Sequence, residues 1–358
     1  MNEEFYKWFA AALPELKSKR VLLGFDGFVD RPARIPLMKT MKAFSTYLAE
    51  LDGMSGILDI EEMPPKLGGN MPITANALGQ LGISVDCIGA LDDPLFDTMS
   101  PRCTLHPVAP PGKCLALEFE SGKLMLSGSA PIQSLDFSVL EKKITIPELI
   151  RFHNMADLWG YFNWSELTGM TDILSGLLSK VLPALPQKSH ANARIPKVFF
   201  DLSDCTARSK DDIKHALDLM AQFSIYGETI LSLNENEACQ LLRIYQSNSY
   251  NLSEESEIRM AAESLYKQLR LNNIVIRKNR RAYAINAHGF TAIDTLFVEN
   301  PKLMTGAGDN FNAGIIAAQL LGADWAYSLT LGTVVSSSYI ESAESPTSEI
   351  LTSCYSPQ

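Results

Sequence analysis

Five short runs of aliphatic and β-branched residues punctuate the chain: VLLGFD at 21–26, VDCIGAL at 85–91, VFFDLS at 198–203, ILSL at 230–233 and IVIR at 274–277. Longer segments with helical spacing lie between them, such as ITANALGQLG at 73–82 and EIRMAAESLYKQLR at 257–270. Strands that are apolar throughout need cover on both faces, and parallel strands need crossovers that supply it. The alternation therefore predicts an α/β fold with a mostly parallel central sheet and helices on both sides. At 358 residues the chain accommodates either one large α/β domain with an appended flap or two domains.

One region breaks the rhythm. Between about 101 and 130 stand Pro101, Pro107, Pro110 and Pro111, then CLALEFE, the turn ESGK and LMLSG. That pattern predicts a β-hairpin with Gly122 in its turn. Such a hairpin is either a flap over a ligand site or an ordinary edge hairpin. The stretch 183–196 (PALPQKSHANARIP) reads as a surface loop, and no internal repeat or low-complexity tract is present.

Charge narrows the function classes. With 31 basic against 41 acidic residues the formal net charge is −10, which argues against a protein that coats nucleic acid or an anionic membrane. A local basic pocket remains compatible with it. The six cysteines (Cys87, Cys103, Cys114, Cys205, Cys239, Cys354) form no C-x-x-C pair, so reduced thiols in a cytoplasm are expected. The opening MNEEFYKWFAAAL carries acids where a signal peptide carries lysines, and no apolar run approaches the roughly 18 residues of a membrane span. The expectation is a cytoplasmic protein without nucleic-acid or membrane partners.

The stretch TGAGDNFNAG at 305–314 is the most informative chemically. With Asp309 in the first turn of a helix, Phe311, Ile315 and Ala318 share one face, and Gly314 permits close packing. The amides of Gly306, Ala307 and Gly308 would then point outward at the positive end of the helix dipole, a setting that binds an anion such as phosphate. A carboxylate beside a phosphate is a poor ligand for it. It makes sense as a base that takes the proton of a hydroxyl attacking that phosphate. The plainer alternative is a tight turn with Asp309 as helix cap.

Other phosphate and metal motifs are missing. Both Gly-Lys pairs, Gly112–Lys113 and Gly122–Lys123, lack the Ser or Thr of a P-loop. The histidines (His106, His153, His190, His215, His288) are dispersed, which gives no zinc pattern. Gly306 and Gly308 lack the third glycine of a dinucleotide fingerprint. Phe162 and Trp164 in GYFNWSEL could stack on a sugar or base, or simply pack in the core.

TGAGDNFNAG resembles the second signature of the ribokinase-like (PfkB) carbohydrate kinase family, D-T-x-G-A-G-D-x-F. LGGNMPITANALGQLG resembles the first, a glycine pair (Gly68, Gly69) with a further L-G thirteen residues on at Gly82. The asparagine usual four positions after the pair is Ile73 here, while Asn70 follows the pair directly and can supply the amide instead. GFDGFVD resembles the family's first strand, whose aspartate grips a substrate hydroxyl; Asp26 and Asp30 both qualify, and one of them can instead be a cap. SLNENEACQLL resembles the N-x-x-E element at Asn234 and Glu237, implying Mg²⁺ held through water near the nucleotide phosphates; the same spacing is also an ordinary capping box.

The nucleotide side departs further. Asn279 and Ala282 replace the two glycines of the family's G-x-x-G, and Arg277 and Lys278 either contact ATP phosphates or belong to a solvated charged turn. Leu303 stands where the family has the aspartate before Thr305, which itself falls on the implied nucleotide side. FDLSD offers Asp201 or Asp204 for polar contacts below the substrate. The resemblance spans roughly residues 20 to 340. It implies a single ribokinase-like catalytic domain over 1–358, with a small β-lid built from about 27–36 and 101–130.

What the resemblance implies for function is an ATP- and Mg²⁺-dependent kinase acting on a hydroxyl of a sugar-like molecule. Asp309 would be its base, Gly306, Ala307 and Gly308 its anion hole, and Asp30, Gly69 and Asn70 the substrate's holders. A nucleoside acceptor, for which Trp159, Phe162 and Trp164 are the residues to inspect, and a catalytically silent metabolite-binding homologue are the alternatives. A monovalent cation and a homodimer formed through the lid are further features of relatives that the sequence leaves open.

Overall fold

In the computed structural model, which describes residues 3–186, 195–245, 254–299 and 301–353, the apolar runs become strands of one large sheet. The strands in chain order are β1 (Arg20–Phe25), β2 (Phe28–Arg34), β3 (Glu61–Glu62), β4 (Lys66–Gly68), β5 (Ser84–Gly89), β6 (Cys103–Pro107), β7 (Gly112–Phe119), β8 (Gly122–Gly128), β9 (Leu158–Tyr161), β10 (Lys197–Asp201), β11 (Glu228–Asn234), β12 (Asn273–Arg277), β13 (Arg281–Asn286) and β14 (Gly289–Asp294). The large sheet runs β14-β13-β12-β11-β10-β9-β1-β5-β6. From β12 to β6 every pairing is parallel, and only β13 and β14 turn antiparallel at one edge.

Alternate residues of the strands feed two cores. Leu22 of β1 points to a layer with the helices Ile146–Met155, Lys210–Gln222 and Glu255–Leu269, while Val21 and Leu23 point to the layer of Glu3–Leu16, Asn70–Gln80 and Ala307–Leu320. Gly314 does permit a close approach: a Cβ there would lie 2.6 Å from Gly332 Cα in the helix Trp325–Ser342. The loop expected at 183–196 lies largely outside the described residues.

A second, five-stranded sheet is built from β3-β2-β7-β8 with β4 alongside β2. The hairpin is there, with Gly122 at φ +139 in its turn. Its membership differs from the sequence reading in two ways. Residues 103–107 form β6 at the edge of the large sheet, because they pair in parallel with β5. The short strands β3 and β4, too brief to carry a periodic signal, complete the small sheet instead. It has its own small core of Ala33, Ile35 and Leu117, closed by Phe44 and Phe119 at 5.5 Å between centroids.

Candidate active site

Parallel pairing brings the carboxyl ends of distant strands to one edge, where ligands of open α/β sheets bind. Asp26 follows β1, Asn163 follows β9, Asp201 ends β10, Asn234 ends β11 and Arg277 ends β12. The N-termini of Asn70–Gln80 and Ala307–Leu320 open toward the same edge, and Thr74 Oγ1 of the first donates to the Asp309 carbonyl of the second (3.3 Å).

The two candidate aspartates separate cleanly. Asp26 is fully buried and accepts from the Asn70 and Met71 amides (2.8 Å each) and from Asn163 Nδ2 (3.1 Å). It caps the Asn70–Gln80 helix, whose own N-cap residue Gly69 has no side chain to do so. Burial raises its carboxyl to about 7 even against these three donors. These three donors give its carboxylate a structural task at the start of that helix. Asp30 instead lines a cavity of about 630 Å³ enclosed by the small sheet and the helices Asn70–Gln80 and Trp325–Ser342. Its carboxyl is raised to about 6, chiefly by burial.

The glycine pair serves both aspartates. A Cβ on Gly68 would fall 2.3 Å from Asp30 Oδ1, and one on Gly69, at φ +89, would fall 2.8 Å from Asp26 Oδ2. Neither position has room for a side chain. The Asn70 side chain donates to Asp201 Oδ1 (3.2 Å) and accepts from Ser203 Oγ (3.4 Å). Asp201 also accepts from Asn312 Nδ2 (2.7 Å) and the Ser203 amide (3.0 Å), so it is a buried hub that fixes Asn70 and Asn312. Asp204 is exposed and caps the turn at Thr206.

Asp309 occupies the first turn of its helix, after Gly306 in the left-handed region (φ +86). The helix Trp325–Ser342 braces this loop: Tyr339 Oη donates to the Thr305 carbonyl (2.6 Å) and Ser336 Oγ to the Ala307 carbonyl (2.8 Å). Of the three expected anion-hole amides, that of Ala307 donates to the Met304 carbonyl (3.2 Å), which closes the turn and leaves Gly306 and Gly308 as the better donors. Over Gly308 lies the Arg277 guanidinium, 2.5 Å from where a Cβ would be. Burial drives the Asp309 carboxyl well above the usual range and Asp201 adds to this, while Arg277 favours the charged form.

Asn234 and Glu237 form a reciprocal capping box. Glu237 accepts from the Asn234 amide (2.9 Å) and Nδ2 (2.7 Å), and the Glu237 amide donates to Asn234 Oδ1 (2.9 Å). Glu237 is nonetheless raised to about 8 by burial and by Asp201, so negative charge crowds this point. Among the described residues no group of three or more metal-binding side chains occurs. Lys278 is drawn aside by Glu235 (3.1 Å), and Asn279 is exposed in the β12–β13 turn, where its carbonyl accepts from Thr295 Oγ1 (2.8 Å). Thr305 and Leu303 both line the cavity.

The aromatics of 159–164 are core residues. Trp159, Phe162 and Trp164 are at most 1% exposed; the two indoles donate to the His153 carbonyl and Thr171 Oγ1, and Phe162 stacks on Phe199. The cavity contains side chains that no motif pointed to: Lys123 and Glu118 from the hairpin and Tyr339 from the brace. Glu166, whose charge reaches Asp30, was equally unmarked. A turn lysine carries no local signal that its ammonium will face a cavity.

A large parallel sheet, a small covering sheet and a glycine loop opening a helix at the carboxyl edge together define the ribokinase fold. Solved structures agree. A ribokinase from Cryptococcus neoformans var. grubii in complex with ADP superposes with a TM-score of 0.67 at 14% identity, covering 94% of this chain and 100% of that one. A phosphofructokinase-2 mutant from Escherichia coli gives 0.66 at 12%, covering 94% and 97%. The family model of prokaryotic ketohexokinase matches residues 9–356, and the chain belongs to that family. A ketohexokinase of Haloferax volcanii is 25% identical over 355 residues, 94% of this chain and 91% of that protein. The protein is thus a carbohydrate kinase, a phosphotransferase with an alcohol group as acceptor. Among the described residues no helix is long and apolar enough to cross a membrane.

Proposed function

We propose that this protein is an ATP-dependent ketohexokinase, transferring the γ-phosphoryl group to a hydroxyl of a ketohexose with Asp309 as general base. The observation that carries this reading is the junction at 305–309. There a buried carboxylate in a first helical turn lies in the field of Arg277, which covers Gly308, and of Lys123, which lines the cavity. The acceptor would sit in the cavity, its neighbouring hydroxyls donating to Asp30. Asp309 would take the proton of the attacking hydroxyl as the oxygen moves in line toward phosphorus.

Charge developing on the phosphoryl oxygens would meet the Gly306 and Gly308 amides and the Arg277 guanidinium. Arg277 already offsets Asp309, Asp201 and Glu237, so an arriving phosphate joins a cation in a setting that is otherwise acidic. Mg²⁺, when bound, supplies neutralisation of the bridging phosphate oxygens. Glu237 fits it through water, since both carboxylate oxygens already accept from Asn234 and keep lone pairs over. The small sheet would act as a lid that excludes water from the transfer.

The deciding experiment is a coupled ADP-release assay with D-fructose, other ketohexoses, aldoses and adenosine as acceptors. Turnover with ketohexoses and none with adenosine is expected. ADP release driven by adenosine, or by no acceptor at all, would overturn the reading. The buried state of Trp159, Phe162 and Trp164 favours the sugar over a nucleoside, because none of them offers a shelf for a base.

A further inference from the structure

Lys123 follows the hairpin turn as the second residue of β8, opposite Glu118 on β7. A lysine beside a hairpin turn ordinarily extends into water, because its ammonium is strongly hydrated. Here the side chain is half-buried and lines the cavity together with Asp30, Lys66 and Thr305. The carboxylates that attract its ammonium are Asp30 first, then Glu118, and Asp309 more weakly. Glu118 has a second partner in Arg34 at 3.9 Å. The capping and packing of the small sheet make no use of the ammonium, since its core is apolar.

Resting on the kinase reading, we propose that Lys123 is a positioning residue of the acceptor site: carried in by the lid hairpin, its ammonium holds Asp30 as a charged acceptor for two neighbouring hydroxyls of a neutral sugar. An ionised carboxylate accepts from both hydroxyls, whereas a protonated one must itself donate. The groups around Asp30 leave this task to Lys123. Burial is the strongest influence against its charge, and Glu166, from the segment after β9, works in the same direction. Cys114, across the β2–β7 pairing, is a neutral thiol pushed up to about 11 mainly by burial. Lys66 pairs with Asp30 between β2 and β4 and lines the same cavity, but the cation that offsets the Asp30 charge is Lys123.

With its carboxyl at about 6, Asp30 is half-charged at pH 6 and charged at pH 8. Removing the ammonium raises that value further, so the loss is greatest at the acid end and recedes as pH rises. The test measures kcat and KM for D-fructose and for ATP from pH 6 to 9 in the full-length enzyme, Lys123→Met and Lys123→Arg. For Lys123→Met we expect an increase of about fivefold in KM for fructose at pH 6, because a one-unit rise in pKa takes the charged fraction of Asp30 from about one half to about one eleventh. That increase should shrink toward pH 8.5, with KM for ATP nearly unchanged and with Lys123→Arg restoring most of the loss. A KM for fructose that matches wild type at every pH, or one raised equally at every pH, overturns the proposal. Wild-type enzyme that turns over no ketohexose refutes the function itself, and this assignment with it; that result is distinct from an active wild type with an unaffected variant.

Discussion

Replacing Gly308 with alanine should separate folding from catalysis at a single methyl group. The added Cβ would stand 2.5 Å from both terminal nitrogens of Arg277 and 2.8 Å from its Cζ. Carbon and nitrogen rest about 3.5 Å apart, so the guanidinium must retreat by roughly 1 Å. It is the far end of a flexible side chain and can do so without disturbing the backbone. Gly308 is the second residue of its helix and does not have a positive φ, so alanine suits the position. Helix propensity favours the change by about 0.5–1 kcal/mol. Thermal stability should therefore hold or rise slightly. The retreat would pull the Arg277 cation from the phosphoryl group and place a methyl where it must approach. Loss of one such contact costs about 10²–10³ in kcat, or roughly 3–4 kcal/mol of transition-state stabilisation. The assay is kcat and KM for ATP in the coupled system, beside a thermal melt. A variant with a wild-type melt and wild-type kcat/KM would refute the reasoning, because the phosphate could not then lie between Gly308 and Arg277.

Further outcomes follow from the same geometry. Asp309→Asn should lower kcat by about 10²–10⁴ while calorimetry finds ADP binding unchanged; near-normal turnover would remove Asp309 from the base role. Stripping divalent cations with EDTA should halt the reaction, and Glu237→Gln should raise the Mg²⁺ concentration for half-maximal rate by about tenfold, a dependence to be read from a Mg²⁺ titration. Stability should depend on pH in an unusual sense. Asp26, Asp30 and Glu237, raised to about 7, 6 and 8, hold protons in the folded state that unfolded carboxyls release near 4. Between about pH 4 and 8 the native state thus binds more protons than the unfolded one, so stability falls as pH rises. Ligand-free melting temperatures at pH 5.5 and 8.5 check this, and a higher value at pH 8.5 would contradict it.

Much of this protein is written in short windows of sequence. The runs at 21–26, 198–203 and 274–277 are apolar without alternation, and that alone requires a sheet buried on both faces. The Gly306–Asp309 turn and the Asn234–Glu237 box each close within one helical turn, so their geometry is set by residues in view of one another. Tertiary structure decided what these local pieces face. Asp26 and Asp30 are equal candidates along the chain. Only the docking of Asn70–Gln80 onto β1 turns Asp26 into its cap, while pairing of β2 with β4 and β7 leaves Asp30 on the cavity. The placement of Arg277 over Gly308, and of Lys123 and Asp30 on one cavity, likewise depends on strand order and on the hairpin joining the small sheet. The physical reason is one of range: backbone hydrogen bonds and apolar periodicity act between near neighbours in sequence. Charge and burial at this site act between groups that only the completed fold brings together.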